Sequence, residues 1–185
     1  MNLQKIHWKA FFQNPAEAHP DDFFKIFNTW IPDSPEIFVD VADYQHVHDG
    51  PVTFLAGHYV DYALDDTDSR RGFLYARKQP MVGTNAAKIE ESFKAFVTSC
   101  QRLVADPLFE GKLSFKTDES LFIVNDRATA PNTAETFQAI LPDLEKYFSK
   151  ILGVGQFTLH HRADPKQRFS VVISSKKPLN MALIG

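Results

Sequence analysis

A chain of 185 residues with 44% apolar side chains and a net charge of −3 can bury a core without disulfide or metal staples, and its only cysteine, Cys100, excludes an internal disulfide. No stretch approaches the ~18 unbroken apolar residues of a membrane span. Residues 1–6 lack the form of a signal peptide, and no dense Lys/Arg stripe marks a nucleic-acid surface. The expectation is one α+β domain over 1–185, in a reducing cytoplasm, engaging neither nucleic acid nor membrane.

Leu3 to Phe12 reads as a strand, with Ile6, Trp8, Ala10 and Phe12 at period two. His19-Pro20-Asp21-Asp22 opens a helix: proline fits the first helical position, and acids favour the first turn. Phe23, Ile26, Phe27 and Trp30 form its buried stripe, and Pro32 is expected to stop it. Residues 36–47 and 52–64 read as two strands joined by a tight turn at Asp49-Gly50, and Gly72 to Lys78 as a third after a polar loop.

Thr84-Asn85 caps the longest helical pattern, in which Ile89, Phe93, Phe96, Val97, Cys100, Leu103 and Val104 recur at three and four. Cys100 on that stripe reads as an inert core thiol. Leu113 to Lys116 and Leu121 to Asn125 suggest a hairpin around residues 117–120. Asn132 and Glu135 have capping-box spacing for a third helix bearing Phe137, Leu141, Leu144, Phe148 and Ile151, kinked at Pro142 and ended by Gly153. A last hairpin runs over 156–162 and 168–174. Helices followed by antiparallel hairpins exclude a parallel doubly wound sheet. The predicted fold is therefore α+β: an antiparallel sheet of about eight strands around a three-strand meander, with three helices mainly on one face.

The histidine-rich stretch 43–66 decides what site the sequence suggests. A two-residue turn at Asp49-Gly50 sets His46 opposite Thr53 and His58 opposite Val41. His58 then lies roughly 17 Å along the strand from His46, on the other face, so no metal is shared. In the same register His58 joins Asp43 and Gln45 on the core face, and a turn at Thr67-Asp68 sets Arg77 opposite His58 with Tyr75 beside it. Two readings follow. Asp43, His58 and Arg77 are either a satisfied buried network, or a site in which Arg77, Tyr75 and Gln45 bind an anionic ligand while His58, oriented by Asp43, moves a proton.

Other signals are weaker. His46 and His48 read as a solvated pair near a turn, and His160-His161 cannot chelate as a unit, because adjacent strand residues face opposite ways. The run Asp61, Asp65, Asp66, Asp68 lacks a calcium-loop pattern and reads as a solvated loop neutralised by Arg70 and Arg71. Gly83-Thr84-Asn85 with Lys88 offers a phosphate a helix N-terminus but not a P-loop. No cofactor motif is present. Charge is uneven: residues 1–66 hold three Lys/Arg against eleven Asp/Glu, whereas the remainder is net positive. Mixed solvated faces or a head-to-tail subunit contact both account for that.

The segments "HVHDGP", "GHYVDYALD" and "RRGFLYARK", within His46 to Lys78, resemble a stretch of bacterial proteins of similar size known only as uncharacterised. The resemblance implies a bacterial cytosolic protein and lends no activity. The expected function is a non-catalytic binding or assembly module, with Phe38, Ala42, Tyr44, Leu55, Tyr59 and Leu74 as an exposed face for self-association or a protein partner. The alternative is an anionic small-molecule site, enzymatic or not, at His58, Asp43 and Arg77.

Overall fold

The computed structural model describes residues 1–180. In chain order the described residues form β1 (Ile6–Phe12), α1 (Pro20–Asp33), β2 (Phe38–Asp43), β3 (Pro51–Gly57), β4 (Val60–Asp65), β5 (Gly72–Arg77), α2 (Asn85–Val104), β6 (Phe115–Val124), α3 (Ala134–Leu152), β7 (Phe157–His161) and β8 (Phe169–Ser175). The strands form one antiparallel sheet in the order β2-β3-β4-β5-β1-β6-β8-β7, so the expected α+β class holds. The chain divides into two compact units, Lys9–Gln79 with Ser99–Lys116, and Met1–Trp8 with Pro80–Thr98 and the chain from Thr117 on. Three of the boundaries fall inside β1, α2 and β6, and the fourth, at Gln79/Pro80, lies in the connection between β5 and α2.

The first unit is built on aromatic layers. Phe23, Phe27 and Trp30, on the apolar stripe of α1, are at most 2% exposed. Trp30 meets Tyr62 of β4 edge-on at 5.5 Å, and Tyr62 stacks on Phe73 of β5 at 5.5 Å with the planes 8° apart. Such pairs add about 0.5–1.5 kcal/mol each beyond area burial. Pro32 does not stop α1; it sits in the last turn, where a missing N–H removes at most one helical bond.

The meander departs from the predicted register. Residues 44–50 form a seven-residue connection, and Val41 pairs with Leu55 rather than facing His58. Asp43 ends β2 because its Oδ1 accepts from the Gln45 backbone N–H at 2.8 Å, turning the chain before Asp49-Gly50 is reached. The predicted strand 52–64 reverses at His58-Tyr59 into separate strands β3 and β4. Gly57 permits that reversal: a Cβ there would lie 2.1 Å from the Val60 carbonyl oxygen.

In the second unit Trp8 of β1 is fully buried, with Phe93 at 4.8 Å, Phe122 at 4.9 Å and Phe148 at 6.2 Å. Its Nε1–H donates to Ser92 Oγ at 2.9 Å, satisfying the ring's one polar group. The hairpin expected around 117–120 is instead continuous strand β6, since Glu119 and Ser120 pair with Ser174 and Ile173 of β8. Residues 117–120 carry no glycine or proline to force a reversal.

The α3 cap is Thr133, whose side chain accepts from the Thr136 N–H, not Asn132. Asn132 instead donates to the Arg162 and Asp164 carbonyls at 2.9 and 2.7 Å, holding the β7–β8 turn. Pro142 lies inside α3 and Gly153 follows it. Lys88 is not free to meet a phosphate: it is 1% exposed and donates to Asn2 Oδ1 and the Leu3 carbonyl, while Asn85 Oδ1 accepts from the Leu3 N–H.

Candidate functional site: a basic cleft

The structure does not assemble the site predicted around His58. His58 lies exposed in the β3–β4 turn, edge-on to Tyr59 at 4.6 Å. Asp43 lies exposed at the other end of β2, whose opposite end, Phe38, pairs with Gly57. Five strand residues, roughly 17 Å, therefore separate Asp43 from the His58 turn. Gln45 is also exposed, its side-chain amide donating to Asp43 and to Asp21 of α1 at 3.2 and 3.1 Å. Arg77 faces Val60, not His58. The error lies in the turns: the chain reverses at His58-Tyr59, inside the predicted strand, and the pairing of β4 with β5, Asp65 with Gly72 and Val60 with Arg77, is two residues off the expected register.

Arg77 and Tyr75 belong to a different group. Tyr75 is 2% exposed and packs on Tyr62 at 5.8 Å. Nearby, the Glu36 carboxyl is pushed up by burial, against the opposing charges of Arg77 and Arg102. Arg102 lies 4.3 Å over the Trp30 ring. Burial also raises the Tyr62 hydroxyl, with the Glu36 charge adding to it. Cys100 is fully buried and its thiol is raised by burial, as expected of an inert core thiol. The predicted exposed face is also lost: Phe38, Leu55 and Leu74 are 8%, 0% and 5% exposed, and only Tyr44 and Tyr59, both in turns, lie open.

A concentration of charge does occur at the C-terminal end of β1. It is built on an ion pair. Lys9 Nζ meets Asp65 Oδ1 at 2.5 Å, with both side chains at most 3% exposed. Burial lowers the Lys9 pKa, opposed by the charge and hydrogen bond of Asp65. The remaining polar atoms are occupied: Lys9 also donates to the Thr67 carbonyl, and Asp65 accepts from the Thr67 N–H and hydroxyl at 3.2 and 2.9 Å. Asp65 is thus not part of a solvated acidic run. Gly72 makes room for this arrangement, since a Cβ there would lie 2.3 Å from the Ala10 carbonyl oxygen and 2.9 Å from Lys9 Cε.

This anchor fixes the loop between β4 and β5. The Asp66 N–H donates to the Gly50 carbonyl and the Asp68 N–H to Asp49 Oδ1, each at 2.8 Å. Asp68 and Ser69 both hold left-handed backbone, φ 62° and 54°. Non-glycine residues in that region cost of order 1 kcal/mol each and persist only where surrounding contacts enforce them. From the loop project two arginines. Arg71 makes a bidentate pair with Asp66 at 2.8 and 2.6 Å and donates to the Ala18 carbonyl, and the bond from Asp66 raises its pKa. Arg70, exposed, lies 3.7 Å over the ring of Phe11.

Phe11, Phe12, Arg70 and Arg71 line a cleft of about 470 Å³ together with His48, Lys116, Asp66, Pro15 and Ser69. Its one carboxylate, Asp66, is already paired with Arg71. Lys116 and His48 have no ion-pair partner among the described residues. The cleft thus presents an excess of cation donors over an aromatic floor, which suits capture of an anion. No group of three or more His, Cys, Asp or Glu that could hold a metal occurs among the described residues, and no helix there is long and apolar enough to cross a membrane.

Sequence reasoning missed this site because its residues come from four distant segments. Only the adjacency of Arg70 and Arg71 before Gly72 was a signal, and it read as neutralisation of the aspartates, which Arg71 does perform. Neither a family model, nor a curated protein, nor a solved structure matches this chain.

Proposed function

We propose that the protein is a non-catalytic binding module that takes up a small anionic ligand in the cleft of Arg70, Arg71, Lys116 and His48. The observation that carries this reading is the position of Lys116 and His48: both line the cleft without an ion-pair partner among the described residues, while the one carboxylate there, Asp66, is held by Arg71. A pocket of about 300–1,000 Å³ is the usual size for small-molecule ligands, and this cleft falls within it. The pinned loop delivers Arg70 with little conformational freedom left to lose on binding. A reducing, cytoplasmic setting suits a chain whose lone thiol is buried.

Calorimetric titration with pyrophosphate at low salt tests the reading. Binding is expected in the micromolar to millimolar range, weakening as salt rises. The double variant R70A/K116A should weaken it by at least about tenfold. Absence of binding up to about 10 mM, or unchanged affinity in the double variant, would overturn the proposal.

A further inference from the structure

We infer that the edge strand β7 takes up a second copy of this chain, the two β7 strands pairing antiparallel about a two-fold axis through Leu159. The Arg162 N–H donates to the Ser170 carbonyl at 3.0 Å and the Lys176 N–H to the Gln156 carbonyl at 2.8 Å. Both bonds keep the register of the β7–β8 ladder, in which His160 pairs with Val172 and Thr158 with Ser174. Bonded residues alternate in an antiparallel pair, so the N–H and C=O groups of Phe157, Leu159 and His161 point away from β8. β7 ends the sheet, and no hydrogen bond from another described residue meets those groups. Such an unpaired row of backbone donors and acceptors is a template for another strand.

The other edge of the sheet is closed to this pairing. At β2 the Tyr44 N–H donates to the Val52 carbonyl, which by the same alternation turns the Val41 N–H outward. Asp40 Oδ1 accepts from that N–H at 2.8 Å, and the register slips between Phe38 and Asp40. A charge and a bulge are the usual means of blunting an edge. β7 has neither: Phe-Thr-Leu-His-His holds no carboxylate, lysine or proline, and its ladder with β8 is regular. Its inner side is also fixed. His161 stacks on Phe137 of α3 at 5.2 Å with Nε2 2.6 Å from Asn132 Oδ1, and Phe157 packs on Phe148 at 5.9 Å. Little order is left to be gained when a strand docks.

A second copy fits because β7 is complementary to itself. With Leu159 opposite Leu159 of the other copy, Phe157 meets His161 and Thr158 meets His160. Arg162, the permanent charge that follows the strand, meets Gln156, which precedes it, so no like permanent charges are opposed. A pairing of β7 with β2 of the next copy lacks the Val41 N–H, already held by Asp40.

Sedimentation equilibrium of the whole chain at pH 8 should show monomer and dimer exchanging with a Kd of roughly 10–500 μM, the weak range of a small interface. L159P removes an outward N–H and no bond of the β7–β8 ladder; it should weaken the dimer at least about tenfold by deleting two bonds across the axis. L159C tests the register without a proline. Directly opposed bonded residues have Cα atoms about 5.5 Å apart, within disulfide reach, whereas residue 158 is offset from its own counterpart by two positions. Mild oxidation should therefore link L159C at least about tenfold faster than T158C. A dimer that L159P leaves intact, or equal linking of the two cysteine variants, overturns the inference. A chain still monomeric at about 1 mM also overturns it, and leaves the edge to an extended segment of another protein.

Discussion

Replacing Lys9 with methionine removes the ammonium that reaches Asp65 at 2.5 Å in a setting where both side chains are at most 3% exposed. Breaking a buried pair from one side typically costs about 3–5 kcal/mol, because the partner charge stays desolvated. Asp65 would keep its two bonds from Thr67, so the low end, about 3 kcal/mol, is expected for K9M. D65L should cost at least as much, since the Lys9 ammonium would stay buried without the carboxylate it bonds. The double variant K9M/D65L removes both charges and fills the space with apolar atoms, and should cost less than about 1.5 kcal/mol or stabilise. Urea unfolding of the four proteins, with unchanged m-values, gives a coupling energy of at least about 2 kcal/mol. Additive single costs, with coupling under about 0.5 kcal/mol, would refute the claim that these groups form one desolvated unit. The double variant should also bind pyrophosphate more weakly despite being folded, because the bonds tying Thr67 to Lys9 and Asp65 are gone.

His7 should govern acid stability. Burial, and secondarily the charge of Arg168, hold its pKa at about 3 against 6.5 for an ordinary histidine. The unfolded chain therefore binds a proton that the folded chain refuses: the contribution of His7 is fully present above pH 6.5 and is lost by about 1.4 kcal/mol per pH unit as pH falls towards 3. That amounts to a loss of about 5 kcal/mol at pH 3; the difference between wild type and H7L in pH-dependent urea unfolding isolates it, and parallel curves would contradict it. G72A should destabilise by about 3 kcal/mol or more in the same assay, since its Cβ would meet the Ala10 carbonyl oxygen of the neighbouring strand at 2.3 Å; a change under about 1 kcal/mol would mean that β1 and β5 separate easily there. Cys100 should react with a thiol reagent only as fast as the protein opens, and a native-state rate near that of free cysteine would contradict its burial.

The legible parts of this chain are those whose signal is local. The stripes of Phe23, Phe27 and Trp30, and of Ile89, Phe93, Phe96 and Cys100, lie on helices α1 and α2 because a helix displays its burial pattern in its own sequence. The meander was harder because both of its faces are buried. Ala63 and Leu64 point to opposite sides, as do Phe73 and Leu74, yet all four are at most 5% exposed. Alternation then cannot show where a strand reverses, and the turn at His58-Tyr59 was hidden within one apparent run. A strong turn pair, Asp49-Gly50, was real but lay inside a longer connection begun by Asp43. The cleft was least legible of all. Phe11, His48, Arg70 and Lys116 share no motif or period, and each alone resembles an ordinary strand or loop residue.

A backbone amide map of the isotope-labelled chain during titration with pyrophosphate is the most direct test of where ligand goes. The cleft account expects saturable shifts concentrated at residues 66–71, at His48 and at Lys116, reduced in R70A/K116A. Shifts centred on Glu36, Arg77 and Arg102, or none at any concentration that leaves the protein folded, would contradict it.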